Sequence, residues 1–391
     1  MDNMGTEDRK HELARIIRND IDTDTFQGKY DAGIRKKILF ILSMIVVTII
    51  VSIASICLGA TDIPLSDLFC VFFHPIFPDW VPEPSQDYYY TFVYNGRLPR
   101  LVLIILTGIS LGAAGMMMQA VLRNPLVSPF TLGVSTAASF GAALAILLGD
   151  AILGSATMGI SIKVVGSSFS VSDLFRVIMA FVVSLLSIWL VLIISKRGSS
   201  SRSLLILSGV VISYLFQAGI MSSKYFSNDE QLREITLWIM GSMANASWGA
   251  DVIIFPVVLI CSILLFKQSM DLNALSAGDE VASSLGVDVE KLRKRTLVLC
   301  TLISAVCLAF TGVIGFIGLM APHICRMIIG NDARYLMPAS ALMGIVVLSI
   351  SDLFCKLIIR PGELPTGIVL YVIGGLFFIW LVSNRKWGAR L

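Results

Sequence analysis

Ten stretches of this chain are apolar along their whole length, not on one face or on alternate residues. They run roughly over 38–59, 99–121, 130–149, 173–195, 203–222, 249–267, 292–314, 316–330, 335–356 and 365–383. Leu39 to Gly59 holds no charged residue at all. A helix needs about 20 apolar residues to cross the ~30 Å hydrocarbon core. Backbone amides in lipid must be paired within their own segment, so such runs are helices rather than loops. Strands of a membrane barrel would alternate over segments of about 10 residues, and these runs do not. The pattern predicts an all-α polytopic membrane protein with about ten transmembrane helices. The eighth stretch is short and polar at its end, so hydropathy alone undervalues it.

Composition agrees: 56% of the 391 residues are hydrophobic and 15% charged. Soluble chains are about half apolar and a quarter charged. The net charge of +3 gives no sign of a nucleic-acid partner. The placement of the positive charges says more. Lys196, Arg197, Arg202, Lys267, Lys291, Arg385 and Lys386 fall in segments on one side of the membrane, with Arg293, Lys294 and Arg295 just beyond. The loop 60–96 has no Lys or Arg, but carries Asp62, Asp67, Asp79, Glu83 and Asp87, with Trp80 and Tyr88 to Tyr90 as interface aromatics. The bias of basic residues toward the inside then places both termini in the cytoplasm of a multi-pass inner-membrane protein. Residues 1–37 read as an uncleaved cytoplasmic extension, with an amphipathic helix or a solvated tail around His11 to Ile21, and 38–391 as the transmembrane domain. Seven scattered cysteines show no metal-ligand spacing and read as small apolar packing residues; Cys70 alone falls in an outer loop.

An internal repeat is visible at an offset of 197 residues, which aligns Gly115 with Gly312, Pro125 with Pro322, Leu122 with Leu319 and Arg97 with Lys294. The second and seventh spans would cross in opposite directions, the inverted arrangement common in transporters.

The segment Ala274 to Val287, between spans six and seven, reads as a compact helix and turn on the cytoplasmic side. It resembles the coupling-helix motif of ABC importer permeases. The stretch Gly315-Phe316-Ile317-Gly318-Leu319-Met320-Ala321-Pro322-His323-Ile324-Cys325-Arg326 resembles the signature of the iron–siderophore, haem and cobalamin permease family. Arg97-Leu98-Pro99-Arg100, Arg123-Asn124-Pro125-Leu126 with Leu132-Gly133-Val134, and Glu363-Leu364-Pro365-Thr366-Gly367 resemble the same family in the same order; Trp238 to Ser242 matches more weakly. The resemblance covers about residue 38 to the end, without the 150–172 loop.

The resemblance implies a type II ABC importer permease fold, a homodimer enclosing a central pathway, two cytoplasmic ATPase subunits and an extracytoplasmic substrate-binding protein. The cargo would be an iron chelate such as a siderophore or haem, or cobalamin. ATPase coupling would fall to Ala277, Gly278, Asp279, Glu280, Ala282, Leu285, Gly286 and Val287, and binding-protein docking to Arg97, Arg100 and Arg360. The alternative for those arginines is snorkelling to the membrane interface. A gating turn would use Asn124, Pro125, Gly315, Gly318, Pro322, His323 and Arg326, with His323 and Arg326 satisfying carbonyls freed by the helix break. The chain has no GxxxxGK[ST] phosphate loop, so ATP and Mg²⁺ are expected in the partner subunits, with no cofactor, metal or catalytic residue here.

Other readings stay open. An ion-gradient-driven transporter would need intramembrane acids, for which Asp352 and Asp173 are the candidates, and Lys356 one turn from Asp352 would neutralise it. Gly108, Gly112, Gly115, Gly133, Ser135 and Gly141 read as helix-packing positions, with lining of the pathway as the alternative. Met116 to Met118 read as lipid or helix contacts, or else as a soft-metal route.

Overall fold

The computed structural model describes residues 23–59, 61–196 and 202–384, with side chains from Asp31 onward. The extension's first 22 residues, Arg197 and the basic tail after Asn384 lie outside the described residues. The chain opens with α1 (Thr23–Cys57) and α2 (Leu65–Phe73). Next, α3 (Tyr88–Thr91) leads through a π-helical segment, Phe92–Arg97, into α4 (Leu98–Leu122). Then come α5 (Val134–Leu153), α6 (Ser155–Met158), a hairpin of β1 (Ser161–Val164) and β2 (Ser167–Ser170), α7 (Val171–Lys196), α8 (Arg202–Phe226) and α9 (Asp229–Met240). The rest is α10 (Trp248–Lys267), α11 (Ser269–Ala277), α12 (Asp279–Ser284), α13 (Val289–Thr311), α14 (Ile317–Ile329), α15 (Ala333–Ile358) and α16 (Thr366–Ser383). Among the described residues nine helical segments are long and apolar enough to cross a membrane, and α14 is the short apolar tenth. These match the ten predicted stretches.

The start of the second crossing differs from the prediction for a local reason. The second crossing starts at Tyr88, not near residue 99. Pro99 has no N–H for the carbonyl one turn back, and the helix widens to the π form just ahead of it. The 60–96 loop carries α2, on which Cys70 is buried.

α4 is the axis of the bundle. Its most apolar stretch is 78% buried, against 6% for α1, which lies at the periphery. The axis packs closely because Gly112 and Gly115 have no side chain. A Cβ at Gly112 would overlap the carbonyl of Ser340 on α15, and one at Gly115 that of Gly318 on α14. Close packing therefore accounts for these glycines. Met116, Met117 and Met118 are fully enclosed, so they contact helices and not lipid.

Leu106 accepts from Cys307 and Ser110 donates to Ile303, so α4 and α13 run antiparallel. The residues paired by the 197 offset nevertheless stand in unlike settings. Gly115 is inside α4, whereas Gly312 caps α13; Pro125 follows α4, whereas Pro322 is inside α14.

The 150–172 loop forms the β-hairpin, with Ser161 opposite Ser170. It seats on the start of α10, where the Gly249 N–H donates to Ser167 Oγ at 3.1 Å. The same end of the bundle gathers Cys57 and Arg97. The opposite end gathers Lys37, Arg123, Arg202, α11 and α12.

Candidate functional site: two charged clusters at opposite ends

The first cluster surrounds α12. Gly278 (φ 141°) and Gly286 (φ 86°) take backbone angles that side-chain-bearing residues rarely adopt, and they mark off a six-residue helix between two sharp turns. Ala282 faces inward and is fully buried, while Val281 (45%) and Leu285 (68%) are exposed. Two apolar side chains thus stand at the tip, flanked by exposed Glu280, Ser283 and Ser284. Ala277 and Gly286 are also exposed, and Val287 leads back to the core.

Asp279 anchors this helix. Arg293 of α13 donates to its Oδ2 at 2.5 Å, Arg202 of α8 stands 3.5 Å from Oδ1, and Arg123 after α4 stands 3.8 Å from Oδ1. Desolvation favours the neutral acid, but the Arg293 hydrogen bond and the charges of Arg293, Arg202 and Arg123 outweigh it, so the carboxyl is held below its ordinary value. One carboxylate therefore ties α12 to three long elements. Sequence reasoning names Asp279 for coupling, Arg123 in a family motif and Arg202 and Arg293 among the basic residues of one side, but not their meeting. The arginines come from three separate segments, and only folding unites them.

The turn Arg123-Asn124-Pro125 lies beside this cluster. Arg123 caps α4 in the left-handed conformation, and the Asn124 side chain accepts from the Leu126 N–H at 2.9 Å. The other predicted turn residues sit deeper. Gly312 ends α13, and Phe316 at φ 63° starts α14, which continues through Pro322.

The expectation for His323 and Arg326 is corrected here. Pro322 has no N–H, so the Gly318 carbonyl loses its helical partner. Gln119 Nε2 of α4 donates to it at 3.3 Å. His323 is buried against Phe377 and Phe378, with ring centroids 6.2 and 6.3 Å away, and among the described residues neither His323 nor Arg326 hydrogen-bonds a carbonyl.

The second cluster lies at the other end. Arg100 bridges Asp352 (2.8 Å) and Glu363 (2.7 Å), and Lys356 stands 2.9 Å from Asp352. Asp352 is fully buried, and Arg100 is 9% exposed. Arg97 turns inward and donates to the carbonyls of Ile56, Cys57 and Thr61, capping the end of α1. The docking reading places Arg97 and Arg100 at the outer face; both are engaged within the chain, Arg97 by carbonyls at the end of α1 and in the turn after it, and Arg100 by the carboxylates of Asp352 and Glu363. Arg360 does reach the surface, paired with Asp62 at 3.0 Å. Arg97, Arg100, Lys356 and Glu363 line a cavity of about 490 Å³.

Two intramembrane acids can now be separated. Asp352 is balanced by Arg100 and Lys356, whereas Asp251, near the start of α10, is 3% exposed and neither of its carboxylate oxygens has a hydrogen-bond partner among the described residues. Sequence reading passed over Asp251, which stands in the first turn of a long apolar span. Asp173 is held by Ser170 and Arg176 at the edge of α7.

Comparison with known proteins adds four findings. A family model described as the FecCD transport family matches residues 47–384. Over 292 residues the chain is 35% identical to the hemin transport system permease protein of Yersinia pestis, covering 75% of this chain and 83% of that one. Over 354 residues it is 32% identical to the Fe(3+)-citrate import system permease protein of Bacillus subtilis, covering 89% and 96%. A solved structure of an inward-facing transporter, assigned to the metal-chelate type of ABC transporter, superposes with a TM-score of 0.73 at 27% identity over 88% of this chain and 98% of that one.

Proposed function

This chain belongs to the FecCD transport family, and from that premise we propose that it is the membrane-spanning permease of an ABC importer for an iron chelate or a corrinoid. Relatives named for hemin, Fe(3+)-citrate and vitamin B12 import set the range of cargo. Two copies of the chain enclose the pathway, two ATPase subunits bind on the cytoplasmic side, and a substrate-binding protein delivers cargo from outside. ATP and Mg²⁺ belong to the ATPase subunits, and this chain catalyses no reaction of its own. The basic end that carries α11 and α12 faces the cytoplasm, in keeping with the positive-inside bias.

The observation that carries this reading is the anchoring of α12. Its exposed tip of Val281 and Leu285 offers a surface for a partner, and Asp279 joins it to Arg123, Arg202 and Arg293. Movement of the tip by a closing ATPase dimer would be carried through those contacts into α4, α8 and α13, changing the opening of the pathway. Reconstitution tests it. Uptake into proteoliposomes should require both ATP and the ATPase subunit, and Leu285→Glu should leave ATP hydrolysis running while uptake falls. Full uptake without an ATPase subunit would sink the reading.

One observation favours a second reading, transport driven by an ion gradient: Asp251 is an enclosed acid whose carboxylate has no hydrogen-bond partner among the described residues. In that case Asp251→Asn would abolish uptake driven by an imposed proton gradient in vesicles that lack any ATPase.

A further inference from the structure

Between the last turn of α10 and the first three turns of α13 lies a cleft of about 800 Å³. Leu264, Val298 and Leu299 form its apolar wall, toward the membrane interior. Lys267, Lys291, Lys294 and Arg295 form its rim, where both helices leave the hydrocarbon. The helical repeat makes this layout: Lys291, Lys294, Arg295, Val298 and Leu299 recur at spacings of three and four and share one face of α13. On the other wall, Leu264 and Lys267 are three apart near the end of α10.

The charge of this rim is only partly answered by the protein, Asp288 acting on Lys291 and Arg295. Lys291 pairs with Asp288 at 2.8 Å. Among the described residues no carboxylate stands within ion-pair distance of Lys267, Lys294 or Arg295, and Asp271 is the single acidic lining residue. The neighbouring Gln268 is engaged, with its Oε1 accepting from Thr296 at 2.6 Å, so the helices are already clamped beneath the cleft.

We propose that this cleft binds the headgroup of an anionic phospholipid on its basic rim and one acyl chain along its apolar wall. Basic pockets between membrane helices suit anionic headgroups, and long basic side chains reach the interface with their alkyl stems on apolar surface. A soluble anion would have no use for the Leu264–Leu299 wall, and an acidic protein surface cannot follow that wall into the hydrocarbon. Assignment to the inner leaflet rests on the orientation proposed above; the lipid site itself requires only that α10 and α13 cross the membrane.

The test is native mass spectrometry of the purified, delipidated full-length chain in detergent. It is titrated with phosphatidylglycerol or with phosphatidylcholine of the same acyl composition. Phosphatidylglycerol should bind more tightly. The double variant Lys294→Gln/Arg295→Gln should weaken it by about thirtyfold, since each basic residue near a surface contributes about 1 kcal/mol. Leu264→Trp, which fills the wall and leaves the charge intact, should weaken both lipids. Arg35→Gln/Lys36→Gln removes two exposed basic residues near the start of the first span, where this cleft is absent, and should change neither. Glycerol 3-phosphate should fail to displace the bound lipid.

Equal affinity for the two lipids, or equal losses in the two double variants, would overturn the proposal. So would displacement by glycerol 3-phosphate, which would mark a soluble-anion site. Loss of ATPase-subunit binding in Lys294→Gln/Arg295→Gln with lipid affinity unchanged would assign the rim to an acidic protein partner and also overturn it. The lipid titrations contain no nucleotide, ATPase or cargo, so their outcome is independent of the importer reading; ATPase-subunit binding is read in a separate pull-down with the same variant.

Discussion

Arg100 holds Asp352 in a two-point grip, with Nη2 2.8 Å from Oδ1 and Nε 3.1 Å from Oδ2, across 252 residues of chain. Lys356 and Glu363 complete the group, giving two positive and two negative charges in contact. Removing one member of a buried pair leaves a charge without compensation, at a cost of about 3–5 kcal/mol. Asp352→Asn and Arg100→Met are each expected to lower the unfolding temperature of the detergent-purified protein substantially. The two changes together should cost less than their sum, because the second removes a charge that the first has orphaned. Strict additivity would show that the pair is not coupled.

The Asp279 anchor has a pH signature. Its carboxyl is lowered from its ordinary value, the contacts to Arg293, Arg202 and Arg123 prevailing over desolvation. A group of this kind contributes stability that is fully present above its unfolded pKa, about 3.9, and is lost as pH falls through the lower folded value. The difference in unfolding temperature between the wild type and Asp279→Asn should therefore be constant from about pH 8 to about pH 5 and close below about pH 4. Closure near neutral pH would point to a different titrating group.

The Arg360–Asp62 pair is exposed at both ends, with side chains 37% and 54% accessible. Exposed pairs contribute about 0–1 kcal/mol, so Arg360→Glu should leave thermal stability nearly unchanged. Its effect belongs to docking. In the importer reading it should weaken association with the substrate-binding protein, most of all at low ionic strength, where surface charges are least screened. Surface plasmon resonance at two salt concentrations measures this. An unchanged affinity at low salt would remove Arg360 from the docking surface.

The ten crossings were legible because long uncharged runs have one solution in lipid, and the short polar span became visible through the glycines and proline that mark it. What escaped the sequence were partners contributed by distant segments. Arg100 and Arg97 look like surface charges on a linear chain, yet Asp352 and the end of α1 lie beside them once the helices pack. Pairing of Asp352 with Lys356 was readable, being one helical turn apart; the Arg100 contact was not. The same limit hid the Arg123 and Arg202 contacts to Asp279. Asp251 went unnoticed because one acid barely alters a 20-residue hydropathy average.

Gln119 and Pro322 provide the sharpest test of the signature turn. Pro322 cannot donate to the Gly318 carbonyl one turn back, and Gln119 Nε2 supplies the missing hydrogen bond at 3.3 Å. Gly115 makes this possible, since any side chain there would strike Gly318. Gln119→Leu removes the donor and leaves a buried carbonyl unpaired, at about 1–3 kcal/mol. Pro322→Ala restores an N–H in the helix, and that N–H can reach the same carbonyl. The cost of Gln119→Leu should therefore be much smaller in the Pro322→Ala background than in the wild type, measured as shifts in unfolding temperature across the four proteins. Equal costs in both backgrounds would mean that Gln119 acts through some contact other than the Gly318 carbonyl, and the account of α14 as a proline-broken helix repaired from α4 would fail.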